Sequence, residues 1–303
     1  MRKNEVQIII DNDPISGYEK KIRSDTLKLP IMFILILWVA FKKIILGSKL
    51  KINTFWFDGI SPICHKIKEN AMRWKALDIT YNYKFKKDNT FVTRITDYWL
   101  NTKNAQAVRN RLKLVKKELR KEIQNLSDKK SEIRLLSIAA GSAQGVIETM
   151  SEFKQKGILI KAVFLDLDST AIEYSRQMAQ KFEIVNQITF INKSAKELEE
   201  AVGYFKPNII EMVGFLDYRP REKAINLIEK INRILASNGV ALISNIASNA
   251  ERYFLYEVMN WPMIYRSANE LAYVIIQGGF EPKKCNIIYE PFNIQGIAIC
   301  RKK

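Results

Sequence analysis

Asp166 stands 25 residues after Gly141, and each lies where a β-rich run gives way to a helical pattern. The first run, RLLSIAA (134–140), passes into Ala139, Ala140, Gly141 and Ser142. Residues this small let the backbone approach a ligand closely, and the helix that follows offers free N–H groups. The second run, KAVFLDL (161–167), delivers Asp166. In an open α/β sheet, a carboxylate so placed can accept from two vicinal hydroxyls of a ribose. The plainer role for an Asp here is a helix cap, which Asp168 or Ser169 could fill instead. Later runs end near Asn192–Ala195, at Glu211–Tyr218 and at Ser244–Asn245. Glu211, Asp217 and Tyr218 are candidates to take a proton from an acceptor group. Arg266 is a candidate fork for an anionic substrate, and Trp261 and Tyr265 are candidate pocket walls. Each has a bland alternative as a cap, a surface ion pair or core.

The elements that must hold these residues alternate. Runs at 134–140, 161–167, 187–193, 208–216, 240–246, 286–291 and 295–301 read as strands. Helical patterns lie between them, near 144–156, 170–182, 195–204, 220–236 and 267–277. Strands separated by helices imply a parallel sheet covered on both faces. Residues 292–294 are too few for a crossover helix, so the last strand is expected to be antiparallel. The fold class expected is α/β, with a Rossmann-like, doubly wound, mostly parallel seven-stranded sheet behind a mainly helical N-terminal region.

This ordered set resembles the class I S-adenosylmethionine-dependent methyltransferases over about residues 131–303. LLSIAAGSA looks like that family's first motif, FLDLDSTAIEYSRQMA its second and ITFINKSAKEL its third. PNIIEMVGFLDY resembles the fourth, and INRILASNGVALISNI the family's helix–turn–strand segment. The resemblance implies S-adenosyl-L-methionine as cofactor. It places cofactor contacts at Ala139, Ala140, Gly141, Ser142, Asp166, Leu167, Ser194, Ala195, Val213 and Gly214. Four positions depart from the pattern. Ser137 stands where an acid is usual, Ala139 and Ala143 stand for glycines, and Ser194 stands for a common acid. Those changes leave room for the ligand but weaken the polar grip on it. GFLDYRP (214–220) and NWPMIYRSANELAYVIIQGGF (260–280) are similar to bacterial methyltransferases of fatty-acid methyl ester signals, which implies a carboxylate or lipid-like acceptor.

Of 303 residues, 47% are hydrophobic, enough for one large core. Three scattered cysteines and one histidine, His65, argue against a disulfide framework or a zinc site, and the chain reads as cytoplasmic. The net charge is +17, unevenly placed: residues 1–130 carry 28 Lys and Arg against 13 Asp and Glu, the rest 21 against 19. A basic front half suits an anionic surface, whether membrane lipid or nucleic acid. Residues 1–28 are polar, with DNDP (11–14) as a turn signal, and are expected to be poorly ordered. Residues 29–130 read as a basic, mainly helical cap or membrane-proximal region. Within it, Leu29–Phe41 is uncharged but short of the roughly 20 residues a spanning helix needs, which favours a buried or interfacial helix. Helical spacing runs through 63–79, and 91–126 reads as two helices or one bent one.

Three functions fit these features. A methyltransferase for a small-molecule or lipid-like acceptor, with peripheral contact to an anionic membrane, accounts for the apolar run and the aromatics before the core. A nucleic-acid methyltransferase would use the basic half for phosphates; it ranks lower because an uncharged run interrupts that half and no NPPY-like segment follows. A non-catalytic adaptor with a degenerate cofactor site is the third. The sequence leaves the oligomeric state open.

Overall fold

The computed structural model describes residues 6–20, 30–47, 54–85, 88 and 90–303; the side chains of Phe55 and Trp56 lie outside that set. So do residues 1–5 and 21–28 of the polar start and Leu29 of the apolar run. The chain divides into two compact units. One comprises Met1–Tyr18, Arg111–Ala247 and Ile264–Lys303; the other comprises Glu19–Asn110 and Ser248–Met263.

The first unit is built on one sheet. Its strands are β1 (Gln7–Ile10), β2 (Glu132–Ile138), β3 (Leu159–Asp166), β4 (Ile188–Asn192), β5 (Ile209–Met212), β6 (Val240–Ile246), β7 (Cys285–Tyr289) and β8 (Gln295–Arg301), in the order β1-β7-β8-β6-β5-β2-β3-β4. All neighbouring pairs are parallel except those made by β8. The antiparallel last strand is as expected from its short link. The eighth strand is not: the QIII run of β1 joins the sheet beside β7, although it sits in the polar start. The DNDP turn follows it, with the Asp13 side chain accepting from Ile15 N–H and Gly17 closing the turn at φ +63°.

The strand faces explain why these sequences pair. Leu135 and Leu136 are neighbours in β2 but belong to separate cores, since side chains alternate across a strand. One face buries Leu136 and Ile138 with helices α9 (Arg221–Ile234) and α10 (Ala268–Gln277). The other buries Ile133 and Leu135 with α6 (Gln144–Lys154), α7 (Ser169–Lys181) and residues 114–123 of α5 (Lys103–Ser127). Both faces being covered, β6 reads VALISNI and is buried throughout. Cys285 and Cys300, far apart in sequence, sit opposite each other across β7 and β8 as buried free thiols.

The second unit is helical: α1 (Pro30–Leu46), α2 (Pro62–Glu69), α3 (Trp74–Asn82), α4 (Phe91–Leu100) and the start of α5. The spacing over 63–79 belongs to two helices, broken where Asn70 caps α2 and Met72 takes φ +67°. Residues 91–126 likewise form two, α4 and α5. Trp99 stacks on Phe254 with ring centroids 4.8 Å apart, and Phe57 meets both edge-on. The buried Glu251 carboxylate accepts the N–H groups of Lys103 and Asn104, satisfying donors that open α5. Among the described residues, no helix is long and apolar enough to cross a membrane.

Candidate cofactor and active site

The strand succession changes direction at β2. The chain runs outward through β3 and β4, then returns to place β5 on the other side of β2. Ligands of such sheets sit beyond the strand carboxyl ends at this switch point. The turn after β2 keeps a glycine-like backbone even where glycine is absent. Ala139, Gly141 and Ala143 lie at φ +52°, +55° and +48°, a region that L-residues enter at a cost of roughly 1–2 kcal/mol. The Ala143 N–H closes the turn on Ala140 O at 2.7 Å, and α6 begins at the next residue.

Asp166 is tied to that turn. Its Oδ2 accepts from Gly141 N–H and its Oδ1 from Asp168 N–H, both at 2.8 Å. Each carboxylate oxygen has a second lone pair, so the side chain is oriented yet retains acceptor capacity. Burial pushes its pKa up, and the Asp168 and Gly141 N–H groups partly offset that. Capping of α7 falls to Asp168, which accepts from Thr170 N–H. Leu167, next in line, is 71% exposed, an apolar side chain held at the same strand end. Asn192 donates to Asp166 O and Leu167 O, joining the end of β4 to that of β3. Ser194 opens a single turn with a capping box to Glu197, which fixes Ala195 behind it.

Across the switch point, Ser137 and Glu211 are paired in register, and the Ser137 hydroxyl donates to Glu211 Oε2 at 2.5 Å. A carboxyl group thus stands beside position 137, on the adjacent strand. Glu211 is 8% exposed, and burial pushes its pKa up to about 7 despite the Ser137 hydrogen bond and the charge of Arg111. Arg111, on α5, is also buried; it donates to Gln295 and comes so near Gly214 that a Cβ there would lie 3.4 Å from its guanidinium. Gly214 has φ +80°, and its N–H donates to Ser244 Oγ at 2.7 Å. Val213 precedes it, half-buried at the end of β5. Sequence reasoning missed Arg111; a lone Arg on the apolar face of a basic helix was the available signal.

The three residues proposed for chemistry are placed differently. Asp217 is 2% exposed; its Oδ1 accepts from Ile246 N–H at 2.8 Å and its carbonyl from Ile264 N–H at 2.7 Å. Burial pushes its pKa up, opposed by Arg111 and the Ile246 N–H. Arg266 donates to Leu216 O at 3.0 Å, Asn245 Oδ1 at 2.5 Å and Arg219 O, so its fork holds the loop after β5. Tyr218 is half-buried in that loop. Of the two wall candidates, Trp261 belongs to the helical unit and Tyr265 to the sheet unit. A surface cavity lined by Lys129, Lys130, Lys284 and Arg301 lies at the opposite strand edge, by Asn208 and Val240, away from all these groups.

A switch-point crevice with a small-residue turn, a carboxylate at the end of β3 and an antiparallel final strand defines the class I methyltransferase fold. The chain belongs to the family described as "Putative methyltransferase", whose profile it matches over residues 73–302. No curated protein matches it by sequence. Among solved structures, it is similar to a "possible exported protein" of Bordetella parapertussis (TM-score 0.65, 12% identity, 92% of this chain and 99% of that one). It is similar as well to the CMeT domain of the citrinin polyketide synthase (TM-score 0.54, 12% identity, 90% and 79%). A third is the magnesium protoporphyrin IX methyltransferase of Synechocystis with SAH bound (TM-score 0.50, 12% identity, 76% and 93%). At this identity the likenesses show a shared fold.

Proposed function

We propose that this methyltransferase uses S-adenosyl-L-methionine and acts on a small-molecule or lipid-like acceptor carrying a carboxylate. The observation that carries the cofactor reading is the Asp166 carboxylate, oriented by two backbone N–H groups beside the Gly141 turn. The residues present suit an adenosyl group. Asp166 has acceptor capacity left for ribose hydroxyls, Leu167 offers an exposed apolar side chain for the base, and Gly141 has no side chain to obstruct approach to its backbone. The amino-acid end of the cofactor is zwitterionic, and Glu211 and Arg111 bring opposite charges to the switch point to meet it. The Synechocystis neighbour carries SAH, which supports the same reading.

When bound, the cofactor supplies an electrophilic methyl group, and the protein's part is position and electrostatics. An ionised carboxylate acceptor needs no general base. The acceptor class rests on the resemblance of 214–220 and 260–280 to methyltransferases of fatty-acid signals. Asp217 and Arg266 act here as positioning residues that hold Tyr218 and the post-β5 loop at the mouth of the crevice.

Isothermal titration with S-adenosylhomocysteine tests the reading. Wild-type protein is expected to bind, and Asp166→Ala to lose about 10- to 100-fold in affinity, the range for a hydrogen bond to a charged group. Equal affinity in the two proteins would remove Asp166 from the cofactor site.

A further inference from the structure

From Pro30 to Phe41, helix α1 is apolar on every side. Its inward stripe, Met32, Leu35, Ile36 and Val39, is buried or half-buried within the helical unit. The opposite stripe repeats at helical spacing and is apolar as well. Phe33, Ile34, Leu37, Trp38, Phe41 and Ile44 are between 52% and 83% exposed. An exposed contiguous apolar stripe of this kind marks a binding surface.

Charge identifies what the stripe fits. Residues 20–53 carry eight Lys and Arg and one acid, Asp25, and the helical unit as a whole has 19 basic against 9 acidic residues. A soluble protein partner would need an apolar groove ringed with acids, whereas an anionic bilayer presents both features over any area. The residues around the helix are those that settle at a lipid–water boundary. Trp38 lies under the Lys42 ammonium, which is 4.6 Å from the ring. Lys43 donates to Tyr256 O and lies 3.4 Å from Glu257, and Tyr253 and Tyr256 beside it are each more than half exposed. At 17 residues the helix is about 25 Å long, below the roughly 30 Å of a hydrocarbon core. That length, with one stripe held by the protein, suits a helix lying in the membrane surface and not across it.

We propose that α1 seats the protein on anionic phospholipid bilayers, with the stripe from Phe33 to Ile44 immersed and the surrounding lysines at the headgroups. The proposal is independent of the cofactor reading, since none of these residues belongs to the strand-end crevice. The test is flotation of the full chain with vesicles of equal parts phosphatidylglycerol and phosphatidylcholine, and with phosphatidylcholine alone. The wild type is expected to float with the anionic vesicles and about tenfold less with the neutral ones. Leu37→Glu/Phe41→Glu is expected to lose about tenfold of the bound fraction while retaining wild-type affinity for S-adenosylhomocysteine. Brominated acyl chains should quench part of the tryptophan emission in the wild type and less in Trp38→Phe. Protein that stays at the bottom with both vesicles at low salt overturns the proposal. So does equal flotation of wild type and double variant, or a dimer that the double variant dissociates without any vesicle binding.

Discussion

Asp166 ends β3 and Asp217 follows β5 of one sheet, both near its carboxyl edge, and burial raises the pKa of both. Their hydrogen bonds differ in what they leave over. Asp166 is half-exposed and takes two N–H groups from the turns that flank it, keeping a face toward the crevice. Asp217 is enclosed, and its partners are the last residue of β6 and the charge of Arg266. The first keeps acceptor capacity on a partly exposed carboxylate; the second is spent on the packing around it. An acid at a strand end is thus assigned by the exposure of its unused lone pairs and not by its position alone.

Substitutions can break or sharpen that contrast. The largest effect is expected for Asp217→Ala, which leaves the buried Ile246 N–H without its acceptor and removes the negative charge that Arg111 and Arg266 feel. Denaturant unfolding should show a loss of about 3 kcal/mol. Asp166→Ala should cost about 1 kcal/mol or less in the same measurement while weakening S-adenosylhomocysteine far more. If the two stabilities change alike, the contrast fails.

Glu211 gives the next effect, through pH. Its folded pKa of about 7 lies above the ordinary 4.5, so folding favours the protonated form. The stability this contributes is fully present below the ordinary value and is lost as pH rises toward 7. Glu211→Gln, neutral throughout, should therefore gain thermal stability relative to the wild type as pH rises from the ordinary value of 4.5 toward 7. If ionised Glu211 meets the cofactor's ammonium, wild-type affinity should rise over the same interval and that of the variant should stay flat. The smallest effect is expected at Ala139 and Ala143. Glycine relieves the left-handed strain but loses more chain entropy on folding, so each Ala→Gly should add about 0.5 kcal/mol by thermal melts.

Strand ends were the legible part of this site. Alternating β and α patterns placed Ala139–Ser142, Asp166 and the 192–195 loop, because each lies within a few residues of its own periodic segment. The Ser137–Glu211 pair was not legible, since it depends on register between residues 74 apart in the chain, on strands adjacent only through the crossover. Nor was the Arg266 clamp, since two of its three acceptors are the backbone carbonyls of Leu216 and Arg219, which carry no sequence signature. The break at Met72 was hidden by apolar spacing that continues in phase across two helices. Four residues of β1 in a polar stretch were too few to declare a period.

That short first strand carries a consequence for handling the molecule. Without residues 7–10, β7 would present a bare row of amides and carbonyls to solvent, a template on which a second chain can add. Deleting residues 7–10 should therefore cost solubility before it costs catalysis.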